Sequence, residues 1–307
     1  MFMCLTLAVS LLYLTATQAW LYDGTTPIDC LETWSDWECG PNFKEFRRAI
    51  IHRPPSVDGA PCSSTTYETR DISCVPTIGE IRQAMERYFL TNNAGSNTRA
   101  GEEAKPRSPR SGLVTNRDLL IIFDMSESSS NAFDIVKNAT TELLSLLGPE
   151  GQIGSGMQTQ VALLAATSSV NLHFVFNGHN SLADLQAAVQ YLGYTGGANL
   201  GNEVRAMEVA RIQMFSTNPG KWYGLRPDSR KELLLITDGQ PTGASEVESE
   251  AQQLKNMGVE VFAFGINENG DIDYDHLERV ASSPGFMHDF RITDANELTE
   301  ILGQMRH

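Results

Sequence analysis

The stretch IIFDMSESSS, residues 121–130, joins an apolar run to an aspartate and a series of hydroxyl side chains. Asp124 follows the apolar run directly, and Ser126 and Ser128 come two and four positions later. This pattern has two interpretations. Serines at 128–130 are typical caps for a helix that begins near residue 131, whereas one carboxylate and two hydroxyls are also oxygen donors for a hard divalent cation. The rest of the sequence has to decide between a helix cap and a cation site.

From residue 118 to the C-terminus, short apolar runs alternate with amphipathic helical patterns. The apolar runs, rich in β-branched or aromatic residues, are 119–123, 160–167, 172–176, 232–237 and 259–266. The helical patterns are 133–147, 181–191, 202–214, 245–257 and 294–305. This alternation predicts an α/β fold with a doubly wound, mostly parallel sheet covered on both faces. Only SSV joins the second run to the third, which is too short for a crossover, so we expect one antiparallel edge strand.

A second aspartate follows another predicted strand. Asp238 comes directly after 232–237 in the sequence TDGQPTG, which by itself is typical of an ordinary turn. In an open α/β sheet, ligands bind beyond the carboxyl ends of the strands, so Asp124 and Asp238 are predicted to share one edge. Their carboxylates, with the hydroxyls of Ser126 and Ser128, suit Mg²⁺, Ca²⁺ or Mn²⁺ and suit zinc or copper poorly.

The charge of the chain is concentrated in its second part. The 307 residues carry a formal net charge of −15. Residues 1–117 hold 12 of the 23 basic and 13 of the 38 acidic side chains, which places −1 in that part and −14 in residues 118–307. This excess of negative charge argues against nucleic-acid binding by residues 118–307 and is compatible with binding of hard cations.

Three motifs in order resemble the von Willebrand factor A domain. They are the D-x-S-x-S pattern after the first strand, the Gly-Gly segment in YTGGANLGNEV (194–204) and LLLITDG (233–239). The resemblance continues through GVEVFAFGIN (258–267) and DANELTEIL (294–302), and we assign the domain to residues 113–307. The family has a doubly wound sheet with one antiparallel edge strand, which agrees with the fold predicted from the alternating pattern.

The resemblance implies a metal-ion-dependent adhesion site. Ser126 and Ser128 would coordinate a cation directly, Asp124 and Asp238 would act directly or through water, and an open position would accept an acidic group of a partner. The sequence departs from the family at Ala198, where a metal-binding threonine is common. An alternative register places Asn199 at that position, where its amide oxygen could coordinate. We expect the substitution to weaken cation affinity, because one neutral oxygen is lost and the charged ligands remain.

The N-terminus predicts export of the protein. Residues 1–19 have an apolar stretch followed by small residues at Thr17 and Ala19, which is typical of a secretory signal peptide cleaved after Ala19. A buried N-terminal strand or helix is the other interpretation. No later stretch has the apolar length that spans a bilayer, so we expect a secreted, extracellular protein without a transmembrane anchor. The sequence NAT at 138–140 makes Asn138 an expected N-glycosylation site.

Four cysteines lie close together after the predicted signal peptide. They are Cys30, Cys39, Cys62 and Cys74. An even, clustered set in an exported chain predicts two disulfides. A zinc site is the competing hypothesis, although no C-x-x-C pair occurs.

Residues 28–76 resemble a thrombospondin type 1 repeat, on the segments DCLETWSDWECG (29–40), FKEFRRAI (43–50) and YETRDISC (67–74). By this resemblance, Cys30 would pair with Cys62 and Cys39 with Cys74, and the third disulfide of the family is missing. Trp34 and Trp37 match the spaced tryptophans of the family, and either Arg47 or Arg48 would stack between them.

The same segment contains clustered basic residues. Lys44, Arg47, Arg48 and Arg53 fall within ten residues, together with His52. They could form a patch for sulfated glycosaminoglycans. Alternatively, some of them stack on tryptophan and the rest are solvated.

Residues 77–112 connect the two domains in the predicted organisation. Residues 77–90 have apolar side chains at spacings of three and four, which predicts a short amphipathic helix. Residues 91–112 are rich in Asn, Gly, Ser, Pro and charge, which predicts a flexible linker and a proteolysis site.

Two functional classes remain after these observations. The first is a secreted adhesion or extracellular-matrix protein that binds a protein ligand, with or without a cation. The second is a structural or biomineral matrix component that binds Ca²⁺ diffusely and carries a degenerate metal site, an alternative favoured by Ala198. Enzymatic activity is not expected, because no G-x-S-x-G, H-E-x-x-H or P-loop occurs and the six histidines form no motif with a nucleophile.

Overall fold

The computed structural model describes most of the chain between residues 27 and 305. The described ranges are 27–39, 43–56, 58–64, 67–90, 116–124, 133–166, 169–194, 202–218, 222–237, 243–267, 270 and 272–305. These residues form two compact units. The first unit consists of the residues up to Gly40 and of Lys44–Cys74. The second unit consists of Pro41–Phe43 and Val75–His307.

The first unit is a small antiparallel sheet joined by disulfides. Its strands are β1 (Leu31–Trp34), β2 (Glu38–Cys39), β3 (Lys44–Arg53) and β4 (Tyr67–Ser73), and β3 pairs with each of the other three. Disulfides join Cys30 to Cys62 and Cys39 to Cys74. So small a unit cannot bury a large apolar core, and covalent cross-links supply much of its stability.

In the first unit, cation–π contacts between arginine and tryptophan side chains take the role that an apolar core has in larger domains. The guanidinium carbon of Arg47 lies 4.9 Å from the ring centre of Trp34 and 4.8 Å from that of Trp37. Arg70, which is not among the arginines predicted to stack, lies 4.3 Å from the ring centre of Trp37. Of the two arginines proposed for stacking, Arg47 takes this position, and Arg48 instead lies over the ring of Phe46 at 5.0 Å.

The second unit contains the predicted doubly wound sheet. Its strand order is β10-β9-β8-β5-β6-β7, and every pair is parallel except β6 with β7. The fold prediction is therefore confirmed, including the single antiparallel edge strand. The strands are β5 (Arg117–Asp124), β6 (Thr159–Ala166), β7 (Val170–Phe174), β8 (Arg230–Thr237), β9 (Val259–Ile266) and β10 (Asp289–Ile292).

Helices cover both faces of this sheet. They are α1 (Ile78–Ala84, continued by a π-helical segment Met85–Leu90), α2 (Phe133–Leu146), α3 (Leu182–Gln190), α4 (Glu203–Val209, continued by a π-helical segment Ala210–Met214), α5 (Ala244–Asn256), α6 (Tyr274–Val280), α7 (Gly285–His288) and α8 (Ala295–Gln304). Successive side chains of β5 point to opposite faces. Leu119 and Ile121 accordingly join one apolar cluster, and Leu120 and Ile122 join another.

Helix α1 belongs to the core of the second unit. Ile81, Met85 and Phe89 are at most 2% exposed and pack into the same apolar cluster as β5, β9 and α8. The sequence groups residues 77–90 with the linker 91–112, because an amphipathic pattern indicates a helix without indicating its partner. In the structure, the second unit starts at Val75, ahead of the domain start expected at residue 113.

A buried ionic cluster lies where β5, β8 and β9 begin. Arg117 and Glu232 are both 0% exposed, and the Nε of Arg117 donates to Oε2 of Glu232 over 2.6 Å. Arg230 also pairs with Glu232. Burial lowers the pKa of the Arg117 guanidinium, and the Glu232 carboxylate acts in the opposite direction. The register of the parallel strands brings Arg117 beside Arg230, which aligns the two arginines with this carboxylate.

Candidate functional site

The candidate cation site begins with Asp124, the last residue of β5. Its side chain is buried, at 7% exposure. Strand β8 runs parallel to β5 and ends at Thr237, whose hydroxyl donates to Oδ2 of Asp124 over 3.1 Å. The parallel register therefore brings the carboxyl ends of these two strands together, as the sequence predicted.

Thr237 was not identified as a site residue from the sequence. It is 4% exposed and immediately precedes Asp238. Its hydroxyl occupies one lone pair of the Asp124 carboxylate and holds that group in one orientation. The only available sequence signal was its position as the final residue of an apolar strand, which does not distinguish a hydrogen-bonding threonine from an ordinary β-branched strand residue.

The other predicted ligands lie outside the described residues. These are Ser126, Ser128, Asp238 and Asn199, together with the substituted position Ala198. Some of them are close in sequence to residues that the structure describes. Ser126 and Ser128 follow Asp124 by two and four residues, and Asp238 follows Thr237 directly.

The described part of the site fits a hard divalent cation. A buried carboxylate stands beside the Thr237 hydroxyl at the ends of two parallel strands, and in the sequence two serines follow Asp124 and an aspartate follows Thr237. Oxygen donors of this kind suit Mg²⁺, Ca²⁺ and Mn²⁺. Binding a cation also offsets the cost of keeping a carboxylate away from water.

Aromatic residues support this edge of the sheet. The ring centres of Phe123 and Phe133 are 6.2 Å apart, and Tyr194 lies 5.5 Å from Phe133. Phe133 opens α2, and Tyr194 comes after α3. These contacts fix the start of α2 and the residues after α3 against the strand that carries Asp124, because aromatic packing at such distances is directional.

Gly243 is the residue at which the chain enters α5. Gly243 has φ of 81° and precedes α5. A Cβ at this position would lie 3.3 Å from Cγ2 of Val204 in α4, and a positive φ strains any residue with a side chain. Glycine therefore permits both the turn and the close approach of α5 to α4.

The expected glycosylation site is accessible. Asn138 is exposed on α2, and its Oδ1 accepts a hydrogen bond from Nε2 of Gln190 over 3.0 Å. The sequon partner Thr140 is buried at 1% and donates to the carbonyl of Val136.

The basic residues of β3 divide between the two faces of the strand. Arg47 and Arg48 are consecutive residues of β3 and point to opposite faces, and a register shift between β1 and β3 interrupts this alternation just before Arg53. Arg47 is held between two tryptophans and donates to Glu68 over 2.8 Å, whereas Arg48 and Arg53 are exposed. Lys44 stands at a register shift between β3 and β4 and is half-buried. Of the four basic residues predicted to form one patch, Arg48 and Arg53 are therefore the accessible ones.

Among the described residues, no helix has both the length and the apolar character needed to cross a membrane.

The sequence is similar to a known domain family and to collagens, vitrin and integrins. Residues 118–304 match the profile of the von Willebrand factor type A domain. The chain is 34% identical over 121 residues to the collagen alpha-1(XII) chain of Oryctolagus cuniculus, covering 39% of this chain and 17% of that protein. It is 30% identical over 148 residues to vitrin of Mus musculus, covering 48% and 20%. It is 27% identical over 199 residues to integrin alpha-2 of Mus musculus, covering 61% and 16%.

The solved structures support the same fold. Proximal thread matrix protein 1 from the mussel byssus, solved with a zinc-occupied MIDAS motif, superposes with a TM-score of 0.54 at 23% identity, covering 62% of this chain and 47% of that one. The chain spans at most about a fifth of the length of these curated relatives. Because the profile match covers more than half of the sequence, the chain belongs to the von Willebrand factor type A domain family.

Proposed function

We propose that this protein is a secreted extracellular adhesion or matrix protein whose von Willebrand factor A domain binds a protein ligand through a divalent cation. The observation that carries the proposal is the buried Asp124 carboxylate, oriented by Thr237 at the ends of two parallel strands. Homology to collagens, vitrin and integrins supports an extracellular role. The signal peptide at residues 1–19 and glycosylation of Asn138 are parts of the same proposal, as is the absence of a catalytic role.

Each proposed ligand has a defined task. Asp124 supplies a charged oxygen whose orientation Thr237 holds. Ser126, Ser128 and Asp238 supply further oxygens, and Asn199 offers an amide oxygen in place of the threonine missing at Ala198. When bound, the cation would supply positive charge and an open position for an acidic side chain of the ligand. Mg²⁺, Ca²⁺ and Mn²⁺ are the preferred candidates, and the zinc in the mussel byssus protein makes Zn²⁺ a necessary comparison.

Calorimetric titration of the mature full chain with Mg²⁺, Mn²⁺ and Zn²⁺ tests the cation site. We expect saturable binding that weakens by about tenfold or more in Asp124→Asn, since one charged ligand is lost. Asp134→Asn is the matched control, because Asp134 lies in the first turn of α2 and its side chain is 81% exposed. Ala198→Thr is expected to raise affinity. Absence of binding by the unsubstituted protein, or equal binding by Asp124→Asn, would rule out the proposed site.

The alternative function is a structural or biomineral matrix component. It is favoured by Ala198 and by the concentration of acidic residues in 118–307. Diffuse Ca²⁺ binding would give many weak sites that survive Asp124→Asn. Adhesion of cells or matrix proteins that is abolished by chelation supports the first function instead.

For the first unit, we propose a thrombospondin type 1 repeat-like module that tethers or orients the second. If it binds sulfated glycosaminoglycans through Lys44, Arg47, Arg48 and Arg53, the exposed members Arg48 and Arg53 should be the accessible part of the patch. We expect Arg48→Ala and Arg53→Ala each to lower the salt concentration at which the full chain elutes from heparin, and Arg205→Ala, at an exposed arginine of the second unit, to leave it nearly unchanged. An effect of Arg205→Ala as large as that of Arg48→Ala would contradict a patch on β3.

A further inference from the structure

The packing of α1 makes it a noncovalent anchor within the second unit. Phe89 is fully buried, and its ring centre lies 4.9 Å from that of Phe262, 5.7 Å from that of Phe264 and 6.5 Å from that of Phe290. Met85 and Ile81, four and eight residues earlier, are also buried. This spacing lines one face of a helix, so a single stripe of side chains enters the core.

Polar contacts fix the position of the same helix. The guanidinium carbon of Arg117 lies 4.8 Å from the ring centre of Phe89, so this ring covers the buried pair of Arg117 with Glu232. Arg82 donates to Oε1 of Gln304 in α8 over 3.2 Å. At the start of α1, Thr77 and Glu80 form a capping box. The helix therefore has a defined end, a defined register and a defined partner surface.

The covalent path between α1 and β5 is much longer than the distance between them. The ring of Phe89 touches the guanidinium of Arg117, the first residue of β5, yet residues 91–115 separate the two elements in sequence. That segment contains Arg99, Lys105, Arg107 and Arg110, which are target residues for trypsin-like proteases. Side-chain burial, rather than a short connection, is what holds α1 beside β5.

We propose that β9, β10, α8 and Arg117 form a helix-binding surface whose partner is residues 78–90, and that this contact retains the first unit when the chain is cut within residues 91–115. The first unit is continuous with α1 through residues 75–77, so a cut after residue 90 leaves it joined to the anchored helix. Cleavage would then yield a two-chain protein. This inference does not depend on the proposed cation site.

The test is site-specific cleavage of the full chain, with a protease recognition sequence substituted within residues 100–106. We expect the two fragments to co-elute in size-exclusion chromatography after complete cleavage. An excess of a synthetic peptide of residues 76–92 should displace the N-terminal fragment. Separation of the fragments without competitor, or their resistance to the peptide, would overturn the proposal.

Two substitutions sharpen this test. Phe89→Ala should weaken association of the cleaved fragments by about 100-fold or more, as truncation of a buried phenylalanine does. Glu86→Gln is the matched control on the same helix, because its side chain is 49% exposed, and it should change the affinity little. Equal retention of Phe89→Ala and Glu86→Gln would show that another contact holds the fragments. The peptide competition gives a result even if Phe89→Ala does not fold.

Discussion

Replacing Glu232 by glutamine is expected to lower the free energy of unfolding of the second unit by about 3–5 kcal/mol. Glu232 and Arg117 are both fully buried, and the substitution leaves the Arg117 guanidinium without its carboxylate partner. An unpaired buried charge costs far more than a lost surface contact. Chemical denaturation monitored by circular dichroism measures the change.

The matched control is Glu208→Gln. Glu208 pairs with Arg205 in α4, where the side chains are 35% and 53% exposed, so its loss should cost less than about 1 kcal/mol. The double substitution Arg117→Met with Glu232→Leu should recover much of the stability, because it removes both buried charges together. If Glu232→Gln cost no more than Glu208→Gln, then Glu232 would not be the group that stabilises the buried charge of Arg117.

The second large effect concerns Asp289 and depends on pH. Asp289 is 2% exposed at the start of β10, and Nε of Arg291 donates to its Oδ2 over 3.0 Å. Within the described residues, Oδ1 has no hydrogen-bond partner. Burial raises the pKa of this carboxyl from 3.8 to about 7, although the Arg291 guanidinium acts in the opposite direction. Glu278, which also contacts Arg291, adds to the increase in the pKa of Asp289.

The sign of the pH effect follows from proton uptake. Between about pH 4 and pH 7, the folded protein holds the proton of Asp289 while the unfolded chain has released it. This carboxyl therefore makes stability fall as the pH rises through that range, and its contribution is constant above pH 7. The asparagine of Asp289→Asn stays neutral, so the variant should not show this loss of stability. Between pH 5 and pH 8, the free energy of unfolding should therefore fall by on the order of 3 kcal/mol less in Asp289→Asn than in the unsubstituted chain.

The measurement is the free energy of unfolding at pH 5 and pH 8 for both proteins. Glu150→Gln serves as the control, because Glu150 is exposed in a turn after α2, and it should leave the difference between the two pH values unchanged. A pH dependence identical in Asp289→Asn and the unsubstituted protein would contradict the assignment of this effect to Asp289.

The sequence alone predicted the strands and helices that carry the site. Buried parallel strands are apolar along their whole length, so 119–123 and 259–266 stand out from their surroundings, and the observed β5 and β9 contain them. A three-residue connection cannot make a crossover, so the antiparallel edge strand was also predictable. The position of Asp124 was predictable for the same reason, since it ends such a strand. The short helices α6 and α7 were not predicted, because segments of seven and four residues give too weak a periodic signal.

Only the tertiary structure decided which of these elements contact one another. The spacing of Ile81, Met85 and Phe89 indicated a helix, but its burial against Phe262 and Phe290 depends on residues far away in sequence. Likewise, Arg117 and Glu232 resemble solvent-exposed charges at strand starts, and only the pairing of two parallel strands brings their side chains within hydrogen-bonding distance. Periodicity indicates which face of a helix or strand is apolar. The strength of an ion pair or hydrogen bond depends instead on which groups are buried together away from water. For that reason the fold and the position of Asp124 could be predicted from the sequence, whereas the packing of α1, the buried ion pair and the Thr237 hydrogen bond could not.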